Sequence, residues 1–289
     1  MFTDFGRSAP EPLHRLRQFA DSPPVKAHLQ AIRSSYRSIM ALLLRESRTR
    51  YGRRSAGYIW ALVAPMILLV SMMAIFTVIA RPAGAGDSLV VFFLLAIVPI
   101  RLWRGGVTRG GVAIRANRSL MRYPGVNAFE VVTARTILEA VTLFIVLILF
   151  VLIMFAFFGL PFSAWIDEPL GLVGAVGTLL LLVYGSSFLS AQIGRMFEPW
   201  NEFTSALARI MLLTSGLWFT LGSLPPEFYA VVKYNPMAHV IEWIRHSCIR
   251  DFKSELFDPY YPLMFGAVLL ALGLFIDWLY RISGYDLDT

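Results

Sequence analysis

The chain has 289 residues, of which 57% are hydrophobic and 16% charged, with a mean hydropathy of +0.62, against roughly 25% charged residues in soluble domains. That balance excludes an ordinary soluble enzyme and describes one membrane domain, with no length left for a large soluble one. The net charge of +7 does not read as nucleic-acid binding: 11 of the 26 Lys and Arg precede Tyr58 and seven more lie between Arg101 and Arg135, where positive-inside topology and contact with anionic lipid want them.

Residues 1–25 are polar and punctuated by Pro10, Pro12, Pro23 and Pro24, which reads as a cytoplasmic tail without the pattern of a secretory signal. Over 26–54, Leu29, Ile32, Tyr36, Ile39, Met40 and Leu43 recur at spacings of three and four, the apolar face of one helix. Lys26, Gln30, Arg33 and Arg37 fill the rest of its circumference. Such an Arg-rich amphipathic helix lies in the membrane interface, or it packs as a soluble helix on a partner. It runs into Arg45, Arg48, Arg50, Arg53 and Arg54, after which Tyr58 to Ala80 holds no Asp, Glu, Lys, Arg or His. About 20 apolar residues cross the hydrocarbon core, and Arg-rich flanks stay in the cytoplasm. The first span is therefore 58–80, with the N-terminus inside.

Five more spans follow, at about 88–110, 128–160, 169–195, 200–222 and 259–281, so 283–289 are cytoplasmic as well. The loops 81–87 and 161–168 are short and poor in basic residues, as outside loops should be, whereas Arg109, Arg115, Arg118 and Arg122 mark an inside loop. The stretch 223–257 is too polar to span and too apolar for a simple loop. Leu224-Pro225-Pro226 starts a short helix through Val232, and Asn235-Pro236 supplies a cap and a first-turn proline for another. Met237, Val240, Ile241, Ile244 and Cys248 form the stripe of that second helix. Two short helices dipping into the outer leaflet are the reading, buried by protein or lining a cavity.

No G-x-x-x-x-G-K-S/T phosphate loop occurs. Gly171, Gly174 and Gly177 lie inside an apolar helix, where small residues favour close packing. His239 and His246 have no third ligand, so no metal site is expected, and Cys248 is the lone cysteine, so no intrachain disulfide exists. Without catalytic apparatus, the functional signal is intramembrane charge, which is expensive and suspect by default. Arg209 interrupts the fifth span, and either lines a path or snorkels to the interface. Arg101 and Arg104, one turn apart on one face, are the cytoplasmic end of the second span or the mouth of a polar conduit. Trp103, Trp218, Phe219 and Tyr184 offer flat faces to sugar rings, or serve as interface anchors.

Several runs together resemble a known family. Leu44-Arg45-Glu46-Ser47-Arg48-Thr49-Arg50-Tyr51-Gly52 precedes Gly57-Tyr58-Ile59-Trp60-Ala61 and Pro65. Ile114-Arg115-Ala116-Asn117 leads to a turn at Leu120 to Pro124, and Tyr234-Asn235-Pro236-Met237-Ala238-His239-Val240 follows far downstream. From about Ser38 to Arg281 the chain resembles capsular-polysaccharide export permeases, the membrane subunits of type-2 ABC exporters. Its N-terminal extension is longer than the family's, and Arg101 and Arg104 stand where aromatic or small residues are common.

The resemblance implies an all-α integral membrane fold of the type-2 ABC exporter kind. It has six transmembrane helices, an amphipathic interface helix, a cytoplasmic coupling helix at 114–124 and a re-entrant hairpin at 224–249 that closes the exit. It implies a homodimer enclosing a channel, with ATP and Mg on two separate ATP-binding cassette subunits and no cofactor on this chain. Coupling to those subunits would fall to Arg115, Asn117, Arg118 and Arg122 with Arg45, Arg48 and Arg50. The gate would use Phe228, Tyr234, Asn235, Pro236, His239 and Glu242. A periplasmic adaptor and an outer-membrane exit protein would complete the route from the bacterial inner membrane. The expected cargo is a lipid-linked, acidic capsular polysaccharide; O-antigen or teichoic acid is the alternative. A membrane-bound envelope-synthesis enzyme would need an acid or metal constellation that the sequence lacks, and a scaffold or sensor would leave Arg209 without a purpose.

Overall fold

The computed structural model describes residues 23–51, 60, 63, 66–67, 70–71, 74–75, 89–123, 125–158, 166–250, 252–254 and 256–283. The expected first span lies outside them except at those scattered positions, as do the tail before residue 23 and residues 284–289. Every regular element among the described residues is helical: α1 (Pro23–Tyr51), α2 (Leu89–Gly111), α3 (Ala113–Ala116), a 3-10 turn (Leu120–Arg122), α4 (Ala128–Phe158), α5 (Pro169–Met196), α6 (Trp200–Thr214), a second 3-10 turn (Leu221–Ser223), α7 (Pro226–Val232), α8 (Pro236–Cys248) and α9 (Tyr260–Ile282). Among these, α2, α4, α5 and α9 contain stretches long and apolar enough to cross a membrane.

Helix α5 is the hub, packed most closely on α9 and α2 and also touching α3, α4, α6 and α8. Small residues make that possible, because association between apolar helices in lipid relies on close backbone approach. A Cβ on Gly185 of α5 would stand 3.0 Å from the Leu270 backbone nitrogen of α9, and one on Gly194 would stand 2.8 Å from the Gly111 carbonyl carbon of α2. Of the glycine run at 171, 174 and 177, the first two face Ser247 and Trp243 of α8, while Gly177 has nothing within 4 Å.

The main core gathers Phe92, Phe93, Leu182, Val183, Val240 and Ile241 between α2, α5 and α8. The stripe of α8 is therefore buried against the spans. A second cluster, including Leu42, Ile114, Val132 and Phe188, joins α1 and α3 to α4 and α5. One apolar edge of α1 stays exposed at Leu29, Ile32, Tyr36 and Met40. Polar ties fix the helix as well: the Ser35 hydroxyl donates to Glu130 at 2.8 Å, Arg45 donates to Asn117 Oδ1 at 2.8 Å, and Glu46 pairs with Arg135 at 3.1 Å.

Two elements differ from expectation. The helix expected over 200–222 stops at Thr214 after 15 residues, about 22 Å at 1.5 Å per residue and short of the ~30 Å hydrocarbon core. The chain then turns through Gly216 at φ +80°, left-handed backbone that glycine adopts without strain. The segment expected as one coupling helix at 114–124 forms two short pieces, α3 and the 3-10 turn. They part at Asn117, whose side chain donates to the Ala113 carbonyl at 2.9 Å; Pro124 lies outside the described residues.

Candidate functional site

A cleft of about 420 Å³ opens between α2, α4, α6 and the turn after α6. Helix α2 supplies Arg101, Arg104, Gly105, Thr108 and Arg109, α4 supplies Glu139, and Leu212, Leu217 and Trp218 close the other wall. Pro99, inside α2, sits just before this charged stretch and removes one backbone N–H from the helix. Arg109 forms an ion pair with Glu139. The Glu139 carboxylate lies against the backbone of α2 because residue 105 has no side chain: a Cβ there would fall 2.6 Å from its carboxyl carbon. On the far side, Arg135 donates to the Arg109 carbonyl at 3.2 Å while holding Glu46 of α1. These groups border a second hollow of about 250 Å³.

Of the residues expected along a substrate path, Arg101, Arg104 and Trp218 come together in this cleft. Trp103 points elsewhere: it is buried, and its indole N–H donates to the Ser186 hydroxyl at 3.1 Å. The Tyr184 hydroxyl shares a 2.7 Å hydrogen bond with Thr133, and the ring packs beside Phe188. Phe219 packs on Leu221, Val232 and Ala238. Arg209 is exposed on α6 and is not among the lining residues.

The expected coupling residues gather where α1 meets α3. Asn117 is buried and holds Arg45, and Arg115 donates to the Glu198 carbonyl at 3.3 Å. Arg118 is half-buried; Arg48 and Arg122 are exposed. The side chain of Arg50 lies outside the described residues.

In the hairpin, Asn235 caps α8 by accepting from the Met237 N–H at 2.9 Å, with Pro236 in the first turn. Its Nδ2 donates to Thr214 Oγ1 at 2.8 Å, tying α8 to the end of α6. His239 Nδ1 accepts from the Asp258 N–H and its Nε2 donates to the Lys233 carbonyl, an arrangement of neutral imidazole that leaves no nitrogen for a metal. Among the described residues no cluster of His, Cys, Asp and Glu is placed to hold one. Glu242 is buried, accepting from the Leu221 N–H at 3.3 Å and the Ser254 hydroxyl at 2.9 Å. Burial pushes its carboxyl above the ordinary range, opposed by nearby Arg245 and by those two donors. Phe228 and Tyr234 are exposed.

Sequence reasoning missed Arg245. It is fully buried, donating to the carbonyls of Gly216 at 2.7 Å, Phe219 at 3.2 Å and Phe92 at 3.2 Å, with its guanidinium 3.5 Å over the Phe92 ring. One side chain thus joins the hairpin to α2 and to the irregular turn that ends α6. Burial lowers its pKa to about 9, with Glu242 opposing the shift, which still leaves it charged at neutral pH. The signal was present: Arg245 falls inside the stripe, one turn after Ile241 and one turn before Cys248. Glu139 and Arg109 were missed as a pair because 30 positions separate them.

The sequence matches the family model described as ABC-2 type transporter over residues 37–249. It is 30% identical over 237 residues to the polysialic acid transport protein KpsM of Escherichia coli, covering 82% of this chain and 91% of that protein. Identity to the capsule polysaccharide export inner-membrane protein CtrC of Neisseria meningitidis serogroup A is 29% over 251 residues, 85% of this chain and 92% of that one. For the capsule polysaccharide export inner-membrane protein BexB of Haemophilus influenzae it is 26% over 260 residues, 89% and 95% respectively.

Proposed function

Because the chain belongs to the ABC-2 type transporter family, we propose that it is the membrane-spanning permease of an ATP-driven exporter, moving a lipid-linked, acidic capsular polysaccharide across the bacterial inner membrane. Relatives that align along most of the chain, two named for capsule polysaccharide export and one for polysialic acid transport, support the cargo class. The observation that carries the acidic preference is the cleft, where Arg101, Arg104 and Arg109 line one wall and Trp218 the other. Guanidinium groups hold carboxylates and phosphates by charge-assisted, often bidentate hydrogen bonds, and an indole face packs on a sugar ring.

In this reading two copies enclose the path, each with six spans and both termini in the cytoplasm, and the α7–α8 hairpin closes the exit. Arg209, on the exposed face of α6, faces the path between the copies. ATP and Mg belong to two separate cassette subunits seated on the α3 segment. A periplasmic adaptor and an outer-membrane protein carry the polymer onward.

The test is complementation of a capsule-exporting strain that lacks its own permease, with the partner ATPase supplied. Surface polysaccharide is restored by the wild-type chain, reduced by Arg101→Gln and Arg104→Gln, and lost with Arg209→Met at equal protein level. Restoration of O-antigen instead of capsule would overturn the cargo, and full export by the Arg101→Gln, Arg104→Gln double variant would overturn the role of the cleft.

A further inference from the structure

We propose that Glu139 is a resident counter-ion of the arginine cleft: it competes with each acidic group of the polymer for the guanidiniums, so that the polymer is held weakly enough to move on. The proposal rests on the export reading above and adds a function for the one carboxylate in the cleft wall among the described residues.

Three observations carry it. Glu139 lines the same cleft as the three arginines, so its carboxylate stands where an incoming oxyanion would. It pairs with Arg109, whose side chain remains 47% exposed while that of Glu139 is 8% exposed. The carboxylate is also lodged at this spot by a backbone feature, since Gly105 leaves a space that any Cβ would fill. An ion pair that only fastened α4 to α2 would need neither an opening to the cleft nor that notch.

The physical need is clear. Conduction requires binding strong enough to admit a ligand and weak enough to release it to the next site. Three arginines without a counter-ion would grip an oxyanion tightly in a partly dehydrated cleft. A carboxylate already paired with one of them is displaced as the acidic group enters and returns as it leaves, which evens the energy along the path. Exchange is feasible because the Arg109 partner of the pair is solvated. The oxyanion recognised is a carboxylate of the sugar chain or a phosphate of its lipid end.

The experiment uses the full chain in complex with its ATPase, reconstituted in lipid nanodiscs. The probes are a fluorescent sialic-acid oligomer without lipid, a neutral dextran of similar size and a short-chain phosphatidylglycerol as competitor. Glu139→Gln is expected to tighten oligomer binding about tenfold, the order expected for removing one nearby like charge from a partly solvated site. Dextran binding stays unchanged, and surface polysaccharide in cells falls. Gly105→Ala keeps every charge but displaces the carboxylate, and shifts binding and export in the same directions by less. Tighter binding with slower export separates this role from a structural strut, whose loss lowers both.

If Glu139→Gln fails to assemble, Gly105→Ala decides. Unchanged or weaker oligomer binding in the variant that assembles overturns the proposal. If the wild type binds oligomer and dextran equally and Arg101→Gln alters neither, the acid-binding cleft itself is wrong. Phosphatidylglycerol binding that Glu139→Gln tightens, without oligomer binding, assigns the oxyanion to the lipid end.

Discussion

Replacing Arg245 with Met should measurably loosen the packing of α8 on α2 and on the turn after α6. The side chain donates to three carbonyls, at 2.7, 3.2 and 3.2 Å, and stacks on Phe92. Methionine fills a similar volume but donates nothing, so the Gly216 and Phe219 carbonyls lose a partner in a site without solvent. Each unsatisfied buried group costs about 1–3 kcal/mol, and a desolvated cation–π contact adds about 2 kcal/mol. Against this, the guanidinium no longer has to be dehydrated, which offsets several kcal/mol. The balance is a loss of about 2–4 kcal/mol, at the upper end for a single substitution. Thermal unfolding of the detergent-purified chain, followed by tryptophan fluorescence, should show the transition about 5–10 °C lower. Arg245→Lys should fall between, because one ammonium cannot serve three carbonyls set apart by a planar fork. A Met variant that melts with the wild type would refute the idea that this guanidinium holds the turn after α6.

Gly194→Ala should destabilise by about 1–3 kcal/mol, since its Cβ meets backbone of α2 that cannot rotate away, whereas Gly177→Ala, with open space around it, should be neutral or gain about 0.5–1 kcal/mol; equal melting of the two would undo the close-approach account of α5. Alanine at Arg115, Arg118 and Arg122 together should abolish co-purification of the partner ATPase, and retained, coupled ATPase would remove the α3 segment from that contact. The carboxyl of Glu242 is raised in the folded chain, so its stabilising contribution is complete below the unfolded pKa and is lost as pH rises through the folded one. Thermal stability should therefore fall as pH rises above the ordinary carboxylate range, and Glu242→Gln should flatten that slope. An unchanged slope in the Gln variant would assign the effect to another group.

Helices α2, α4, α5 and α9 were legible because long apolar runs bounded by charge or proline leave little choice of ends. The start of α8 was legible for a local reason, as Asn235-Pro236 carries the cap within two residues. What remained hidden depends on partners far along the chain. Gly216, two residues after Thr214, is a weak stop signal inside an apolar run; the break is held by Arg245, 29 residues beyond the Gly216 carbonyl it binds. Within α8 that arginine falls in the apolar stripe, but what it does there shows only once the carbonyls it serves are known. In the cleft, Arg101 and Arg104 were recognisable as intramembrane charge, whereas the Glu139 pairing needs the crossing of α2 and α4 and the notch at Gly105. Trp103 and Tyr184, read as sugar platforms or interface anchors, lie outside the lining of the cleft, and the sequence cannot separate these roles because an aromatic ring serves a core, an interface and a saccharide equally well.

The chain of contacts running inward from α1 has a mechanical consequence. Glu46 holds Arg135, Arg135 grips the backbone of Arg109, and the Arg109 side chain pairs with Glu139 at the cleft. Helix α1 is thus two side chains removed from the carboxylate in the cleft. If α1 rolls or lifts, Arg135 is dragged with Glu46 or released from it, and Arg109 changes its purchase on Glu139. A movement of α1 therefore reaches the charges of the cleft directly, without any span having to tilt first.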